Sequence, residues 1–286
     1  MHDVLLRPAV ELRLVDLASL FTASFAGYAV PIVVDAEALA GQLRTDGVDL
    51  GRSLVALVDG APAGLLLLAP RGWSARVAGM GVVPGARRRG VGARLLERAL
   101  DGLRAAGYRE LRLEVIADNH AAIELYRAHG LRVRRRLVGY ARAPAAPGAG
   151  APAIVEVDPC EVAAAVARHG DAELPWQLRA ESLCAQGPPA RGWRLEGGAW
   201  ALTTIGGDGA LVILALVVAG DRRRRGLGSA MIDALAARHH GLGLRIPARA
   251  PEGLGAAMLA AKGLEIGALT QFEMTRRLDD APDSLE

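Results

Sequence analysis

The sequence predicts an α/β (α+β) protein of two tandem domains built alike, each a mixed central sheet flanked by helices. Three observations lead there. A strand ending at Val82-Val83 runs through a basic, glycine-bearing turn, Pro84 to Gly92, straight into a helix. The pattern returns in the second half, where Arg223, Gly226 and Gly228 answer Arg87, Gly90 and Gly92 at a constant offset of 136 positions. A chain of 286 residues is long enough for both copies to bury a core of their own.

Taken in order, Val10 to Val15 reads as a first strand, and Asp16 is a cap for the helix carrying Leu17, Leu20 and Phe21. Phe25, Gly27, Tyr28 and Pro31 form an aromatic, breaker-rich stretch before a second helical segment, Ala36 to Leu43. With only 4% aromatics in the chain, this cluster suits either the packing of two short helices or a substrate pocket. Ser53 to Val58, the Asp59-Gly60 turn and Ala63 to Ala69 make a hairpin, and Trp73 to Val83 is the third strand of the meander. From Gly90 the residues Val91, Leu95, Leu96, Ala99, Leu100 and Leu103 recur at helical spacing, and Gly107 stops the helix. Leu111, Leu113 and Val115 alternate as a strand. Asp118 or Asn119 then caps a helix holding Ala122, Leu125 and Tyr126 up to Gly130, and Leu131 to Tyr140 gives one or two last strands.

Ala141 to Ala153 is almost wholly Ala, Pro and Gly and reads as a linker, which places domains at 1–141 and 154–280 around residues 142–153. The second half repeats the order: strand Ile154 to Val157, helix Glu161 to His169, a helix end near Leu183, strands near Trp193, Trp200 to Thr204 and Leu211 to Val218. A helix with Leu227, Met231 and Leu235 follows, then alternating Leu242, Leu244 and Ile246, then Ala256 to Gly263. Gly263 answers Gly130 at an offset of 133. Two separate features at nearly one offset indicate an internal duplication.

Composition narrows the class. At 51% hydrophobic and 23% charged the chain reads as globular, and its longest apolar run, Ala210 to Ala219, is too short to span a bilayer. The N-terminus lacks a charged region followed by an apolar stretch and cleavage site, so a cytoplasmic protein with no membrane partner is expected. Cys160 and Cys184 show no metal or redox spacing, and are expected as free thiols in a reducing compartment; no metal site is expected. The pI near 9.2 comes almost wholly from arginine, Lys262 being the single lysine. No aromatic-interleaved basic stripe accompanies it, so the arginines read as solvated surface and no nucleic-acid partner is expected.

The repeated turn carries the chemistry. Pro84 ends the strand, and Arg87-x-x-Gly90-x-Gly92 then offers backbone that anionic oxygens can approach closely. The first unpaired amides of the following helix, its dipole and the arginines all favour an anion. A glycine turn alone would equally suit a simple strand–helix connection.

Together these residues resemble the GNAT superfamily of acyl-CoA-dependent N-acetyltransferases. The segment Arg87-Arg88-Arg89-Gly90-Val91-Gly92 is similar to the family's pyrophosphate-binding motif, and Asn119, Ala122, Tyr126 and Gly130 are similar to its later signature. The resemblance implies acetyl-CoA as acyl donor and Arg87, Arg88, Arg89, Gly90, Val91, Gly92 and Ala93 as its cradle. It further implies that the backbone of Val82 and Val83 pairs with the pantetheine arm between two splayed strands, and that Asn119 contacts that arm or holds the strands open. Tyr126 would donate a proton to the departing sulfur, and the Val82 N–H would meet the developing oxyanion. A general base is not visible: Ser74 to Val83 contains no carboxylate, and Glu114 on the next strand, the nearest in sequence, reads as solvent-facing. Phe25 and Tyr28 are the candidate acceptor pocket.

The second half keeps Arg223, Gly226 and Gly228, so it could still hold CoA, yet Leu259 stands where Tyr126 does and Glu252 where Asn119 does. It reads as a degenerate, structural or acceptor-shaping domain. The implied function is transfer of an acetyl group to a primary amine of a small molecule. The alternatives are acetylation of a peptide or protein N-terminus, or a non-catalytic acyl-CoA sensor or scaffold. The halves could act as an internal pseudo-dimer in a monomer, or the chain could form a homodimer; acetyl versus longer acyl groups stays open.

Overall fold

The computed structural model describes residues 4–28, 32–144 and 150–279. The chain forms two compact units: unit 1 comprises the residues up to Arg134 and those from Glu273 on, and unit 2 comprises Arg135–Phe272. The division therefore falls before the Ala/Pro/Gly run expected as the linker, whose residues 145–149 lie outside the described residues.

Unit 1 contains β1 (Val4–Pro8), α1 (Leu14–Ser24), α2 (Ala36–Asp46), β2 (Asp49–Val58), β3 (Ala61–Arg71), β4 (Ser74–Val82), α3 (Val91–Ala105), β5 (Glu110–Ile116), α4 (His120–Ala128) and the start of β6 (Arg132–Arg142). Unit 2 contains the rest of β6, then β7 (Ile154–Val157), α5 (Pro159–His169), α6 (Ala180–Cys184), β8 (Arg191–Leu195), β9 (Ala199–Ile205), β10 (Leu211–Val218), α7 (Leu227–Arg238), β11 (Leu244–Pro251), α8 (Ala256–Ala261) and the first part of β12 (Glu265–Arg277). The end of β12, from Glu273, belongs to unit 1.

In unit 1 the strand order is β1-β2-β3-β4-β5, antiparallel up to β4 and parallel between β4 and β5. The parallel pairing runs from Ser74/Glu110 only to Val77/Leu113, and a register shift against β3 follows at Leu67/Leu68. Beyond it β4 and β5 splay. Leu17, Phe21, Leu39 and Leu43 of α1 and α2 pack on Val55, Leu65 and Leu67. Leu95, Leu96, Leu100 and Leu103 of α3 are buried too, each such leucine contributing about 1.5–3 kcal/mol. Gly107, at φ 80°, takes the left-handed position that ends the α3 turn.

Unit 2 has the order β6-β11-β10-β9-β8-β7. Here β10 and β11 pair in parallel at Leu211/Leu244 and Val212/Arg245 alone, and β10 carries a register shift between Ile213 and Ala215. The second splay thus matches the first. Its core gathers Trp193, Met231, Ile232, Leu235, Leu244 and Leu259.

Three expectations are corrected. The first strand is Val4–Pro8, and Val10 to Val15 instead turns into α1, because Val10 and Val15 are exposed and give the segment no buried strand face. Asp16 does not cap α1, whose cap position is Arg13; its carboxylate accepts from Arg13 Nε at 2.7 Å. Cys160 and Cys184 are joined in a disulfide, with Cα atoms 4.5 Å apart, because the start of α5 and the end of α6 lie side by side despite 24 residues of separation. β12 was not expected, although Ile266, Ala268, Thr270, Phe272 and Met274 alternate along it. Among the described residues no helix is long and apolar enough to cross a membrane.

Candidate active site

The site of unit 1 begins where β4 ends. Arg88 (φ 59°) and Gly90 (φ 78°) both take left-handed backbone, and Gly90 occupies the cap position of α3 with no side chain capping the helix. The first bond back to Gly90 O comes from Arg94 N at 3.1 Å, so the amides of Val91, Gly92 and Ala93 have no partner within the helix and face outward at the positive end of its dipole. Val91 buries its side chain and offers backbone only. At Gly92 a Cβ would lie 3.3 Å from Leu125 and 3.4 Å from Met80, so glycine allows α3, α4 and β4 to meet closely.

The arginines divide their tasks. Arg87 Nε donates to Val82 O at 3.0 Å, and its Nη2 donates to Ala26 O at 2.7 Å and Ser24 O at 3.3 Å. It braces the end of α1 against the end of β4. Arg88 borders the cavity described below, whereas Arg89 is exposed outside its wall.

Strand alternation sets which amides are available. Val83 N donates to Ala63 O at 2.9 Å, so the amides of Val82 and Met80 turn the other way, into the splay. The Val82 amide is therefore not used by β3. Val83 does not keep its expected place: its N–H is consumed by β3 and it lies outside the cavity wall.

A cavity of about 780 Å³ runs from the α3 cradle along this stretch. Its two sides are set by neighbouring residues of β4, whose side chains point to opposite faces. On one face Gly81 meets the end of α1, where a Cβ would lie 2.8 Å from Ser24 Cβ and 3.4 Å from Phe25. Phe25 and Tyr28 line this side, their ring centres 5.4 Å apart, and Phe25 stacks back on buried Phe21 at 4.7 Å. The cluster is both core and pocket wall; Pro31 lies outside the described residues. On the other face the Tyr126 hydroxyl lies 3.9 Å from Met80 Sδ.

Tyr126 is only 7% exposed. Burial, followed by the proximity of Tyr28, holds its phenol well above the ordinary value near 10, so it is a neutral proton donor throughout the physiological range. Asn119 also lines the cavity, and its Oδ1 caps α4 by accepting from Ala122 N at 3.2 Å. Glu114 departs from expectation. Its side chain is 6% exposed and accepts from Arg76 Nε at 2.8 Å, with Asp46 3.4 Å from the same guanidinium. A carboxylate locked in that buried cluster is neither solvent-facing nor free to act as a base.

Unit 2 repeats the frame with other contents. Arg224 (φ 60°) and Gly226 (φ 82°) reproduce the left-handed pair, and Arg223 donates to His169 O at the end of α5, as Arg87 does at the end of α1. Its cavity measures about 520 Å³. Leu259 stands in the place of Tyr126, and a Cβ at Gly228 would lie 2.7 Å from Met258 Sδ.

Sequence reasoning missed Ser24, Met80 and Gly81. Glycines 79 and 81 inside a strand were the available signal, since interior strand glycine marks a close approach of another element.

A sheet splayed beside an uncapped, glycine-led helix, with a buried phenol at the splay, defines a GNAT-type acyltransferase architecture. Residues 18–131, all within unit 1, match the family model described as Acetyltransferase (GNAT) family, so unit 1 carries a GNAT domain. Over 85 residues it is 42% identical to the mycothiol acetyltransferase of Clavibacter michiganensis subsp. michiganensis, a match covering 30% of this chain and 28% of that protein. Less than a third of that relative's length is therefore matched. Among solved structures, the tandem GNAT protein from the clavulanic acid biosynthesis pathway superposes with a TM-score of 0.67 at 17% identity, covering 98% of this chain and 100% of the other. A GCN5-related N-acetyltransferase from Sphaerobacter thermophilus gives 0.69 at 17% identity over 98% and 97%. At that identity the likeness establishes the tandem fold.

Proposed function

We propose that unit 1 transfers an acetyl group from acetyl-CoA directly to a primary amine of a small molecule. The observation that carries this reading is the continuity of one cavity past the α3 cradle, the open amides of Met80 and Val82 and the Tyr126 hydroxyl. An elongated donor with an anionic head fits that path: the amides of Val91, Gly92 and Ala93 with Arg88 would hold its pyrophosphate, and the amides in the splay its amide-bearing arm. The donor supplies an acetyl thioester. The Val82 N–H would stabilise the oxygen that gains charge as the amine adds. The C–N bond forms, the C–S bond breaks, Tyr126 gives its proton to the sulfur, the nitrogen releases one proton to solvent water, and solvent returns a proton to the Tyr126 phenolate. We read unit 2 as non-catalytic, since Leu259 has no proton to give.

The test is thiol release from acetyl-CoA against a panel of amines, amino acids and short peptides, with Tyr126→Phe and Gly226→Glu run alongside. Turnover lost in the first variant and kept in the second supports the reading. Binding of acetyl-CoA without turnover on any acceptor would replace it with a sensor or scaffold, and turnover confined to peptides would move the acceptor to a chain N-terminus.

A further inference from the structure

The helix that forms the acceptor side of the cavity carries three hydroxyls, and two are accounted for. Ser19 Oγ donates to Val15 O at 2.9 Å, and Thr22 Oγ1 donates to Val34 O at 3.2 Å and accepts from Val34 N at 3.1 Å. Ser24 differs. It is 4% exposed, lines the cavity, and its Oγ has no hydrogen-bond partner among the described residues. A helical serine can return its proton to the carbonyl four residues back, as Ser19 does, so a buried hydroxyl that makes no such bond requires an explanation.

Ser24 is fixed by contacts in which that hydroxyl takes no part. Its carbonyl accepts from Arg87, and its Cβ packs against Gly81 so closely that no side chain fits between them. Gly81 lies between Met80 and Val82, whose amides open into the splay. Ser24 thus sits beside the reacting stretch of β4, on the face opposite Tyr126, with its buried Oγ one bond from the Cβ that packs on Gly81. That face needs a polar group, since residues 74–83 hold no carboxylate and Glu114 is committed to Arg76.

Resting on the acetyltransferase reading of unit 1, we propose that Ser24 is the positioning residue for the acceptor. Its Oγ accepts one N–H of the incoming neutral amine and turns the nitrogen lone pair toward the thioester carbonyl, between the walls made by Phe25 and Tyr28. Proton donation to sulfur remains with Tyr126.

The experiment compares Ser24→Ala and Ser24→Cys with the parent chain in thiol-release kinetics, varying each substrate in turn, and in thermal melts without substrate. For Ser24→Ala, kcat/KM for the amine falls about 10-fold or more while KM for acetyl-CoA stays within about twofold, and Ser24→Cys lies between Ala and Ser. Because the hydroxyl has no partner in the free protein, the Tm of Ser24→Ala is unchanged or raised. An unchanged amine kcat/KM, an equal loss for both substrates, or a lowered Tm overturns the assignment. A parent chain that turns over no amine instead overturns the acetyltransferase reading, and the role of Ser24 with it.

Discussion

The two units share a main-chain frame and differ in what the frame holds. Both bend through left-handed residues at matching positions, Arg88 with Gly90 and Arg224 with Gly226, and in both the arginine three residues before that glycine, Arg87 or Arg223, donates to a carbonyl at the end of the unit's first helix. Yet Tyr126 is matched by Leu259, Met80 by Leu216, Gly81 by Val217, and the buried pair Arg76 and Glu114 by Val212 and Pro247. A turn whose open amides are made of backbone survives duplication as long as a few glycines do. Chemistry that depends on one side-chain hydroxyl is lost with one substitution.

The sharpest way to break this comparison is Tyr126→Phe beside Leu259→Ala. We expect the first to lower kcat about 10²- to 10⁴-fold with little change in KM for acetyl-CoA, the range for removing a general acid, and the second to leave kcat unaltered. Steady-state kinetics on both decide it. Equal effects would mean that the halves do not divide labour as their contents suggest.

Next in size is the buried cluster of unit 1. Glu114→Gln leaves the guanidinium of Arg76, itself 5% exposed, with Asp46 alone, and is expected to destabilise unit 1 by about 3 kcal/mol, the scale for breaking a buried ion pair. The double change Arg76→Val with Glu114→Val, closer to unit 2, recovers most of the loss. Denaturant melts measure both. If Glu114→Gln instead spared stability and removed turnover, Glu114 would be a base after all.

The disulfide of unit 2 has no counterpart in unit 1. Closing a loop over a separation of 24 residues restricts the unfolded chain, so Cys160→Ser with Cys184→Ser should lower the stability of unit 2 by about 3 kcal/mol and leave the melting of unit 1 in place. A single shifted transition would show the units to be coupled.

These contrasts also mark what the sequence could tell. The cradle, the α3 helix, the hairpin at Asp59-Gly60 and the duplication were legible because glycine placement and helical periodicity are local signals. Helix α4 was legible through its cap, Asn119. The alternation that consumes the Val83 amide and frees that of Val82 depends on pairing with Ala63, twenty positions away, and a slip of one residue would have exchanged them. Arg87 looked like a phosphate ligand because its charge is visible in sequence, whereas the carbonyls it binds, of Val82 at the end of β4 and of Ser24 and Ala26 at and after the end of α1, are brought to it only by folding. Glu114 looked solvated because its neighbours alternate; only folding brings Arg76 and Asp46 to it. Ser24 gave no sequence signal, since its distinguishing property is the lack of a partner in three dimensions.

The smallest effect follows from the raised phenol of Tyr126. Its folded form keeps the proton to higher pH than the unfolded chain, where tyrosine titrates near 10, because burial, and then Tyr28, disfavour the phenolate. The contribution is whole below about pH 10, and above it the unfolded state gains by releasing a proton that the folded state retains, so stability falls by up to about 1.4 kcal/mol per pH unit. Tyr140 in unit 2 is also raised, by burial and then Glu252, so the total slope alone cannot report on Tyr126. The informative quantity is the difference between the parent and Tyr126→Phe in denaturant midpoints from pH 9 to 11 (roughly the window around the unfolded value). The parent should lose stability faster above pH 10. Parallel curves would mean that Tyr126 ionises as freely as an exposed tyrosine, and the buried, neutral phenol that distinguishes unit 1 from unit 2, and on which the proposed acid role rests, would be gone.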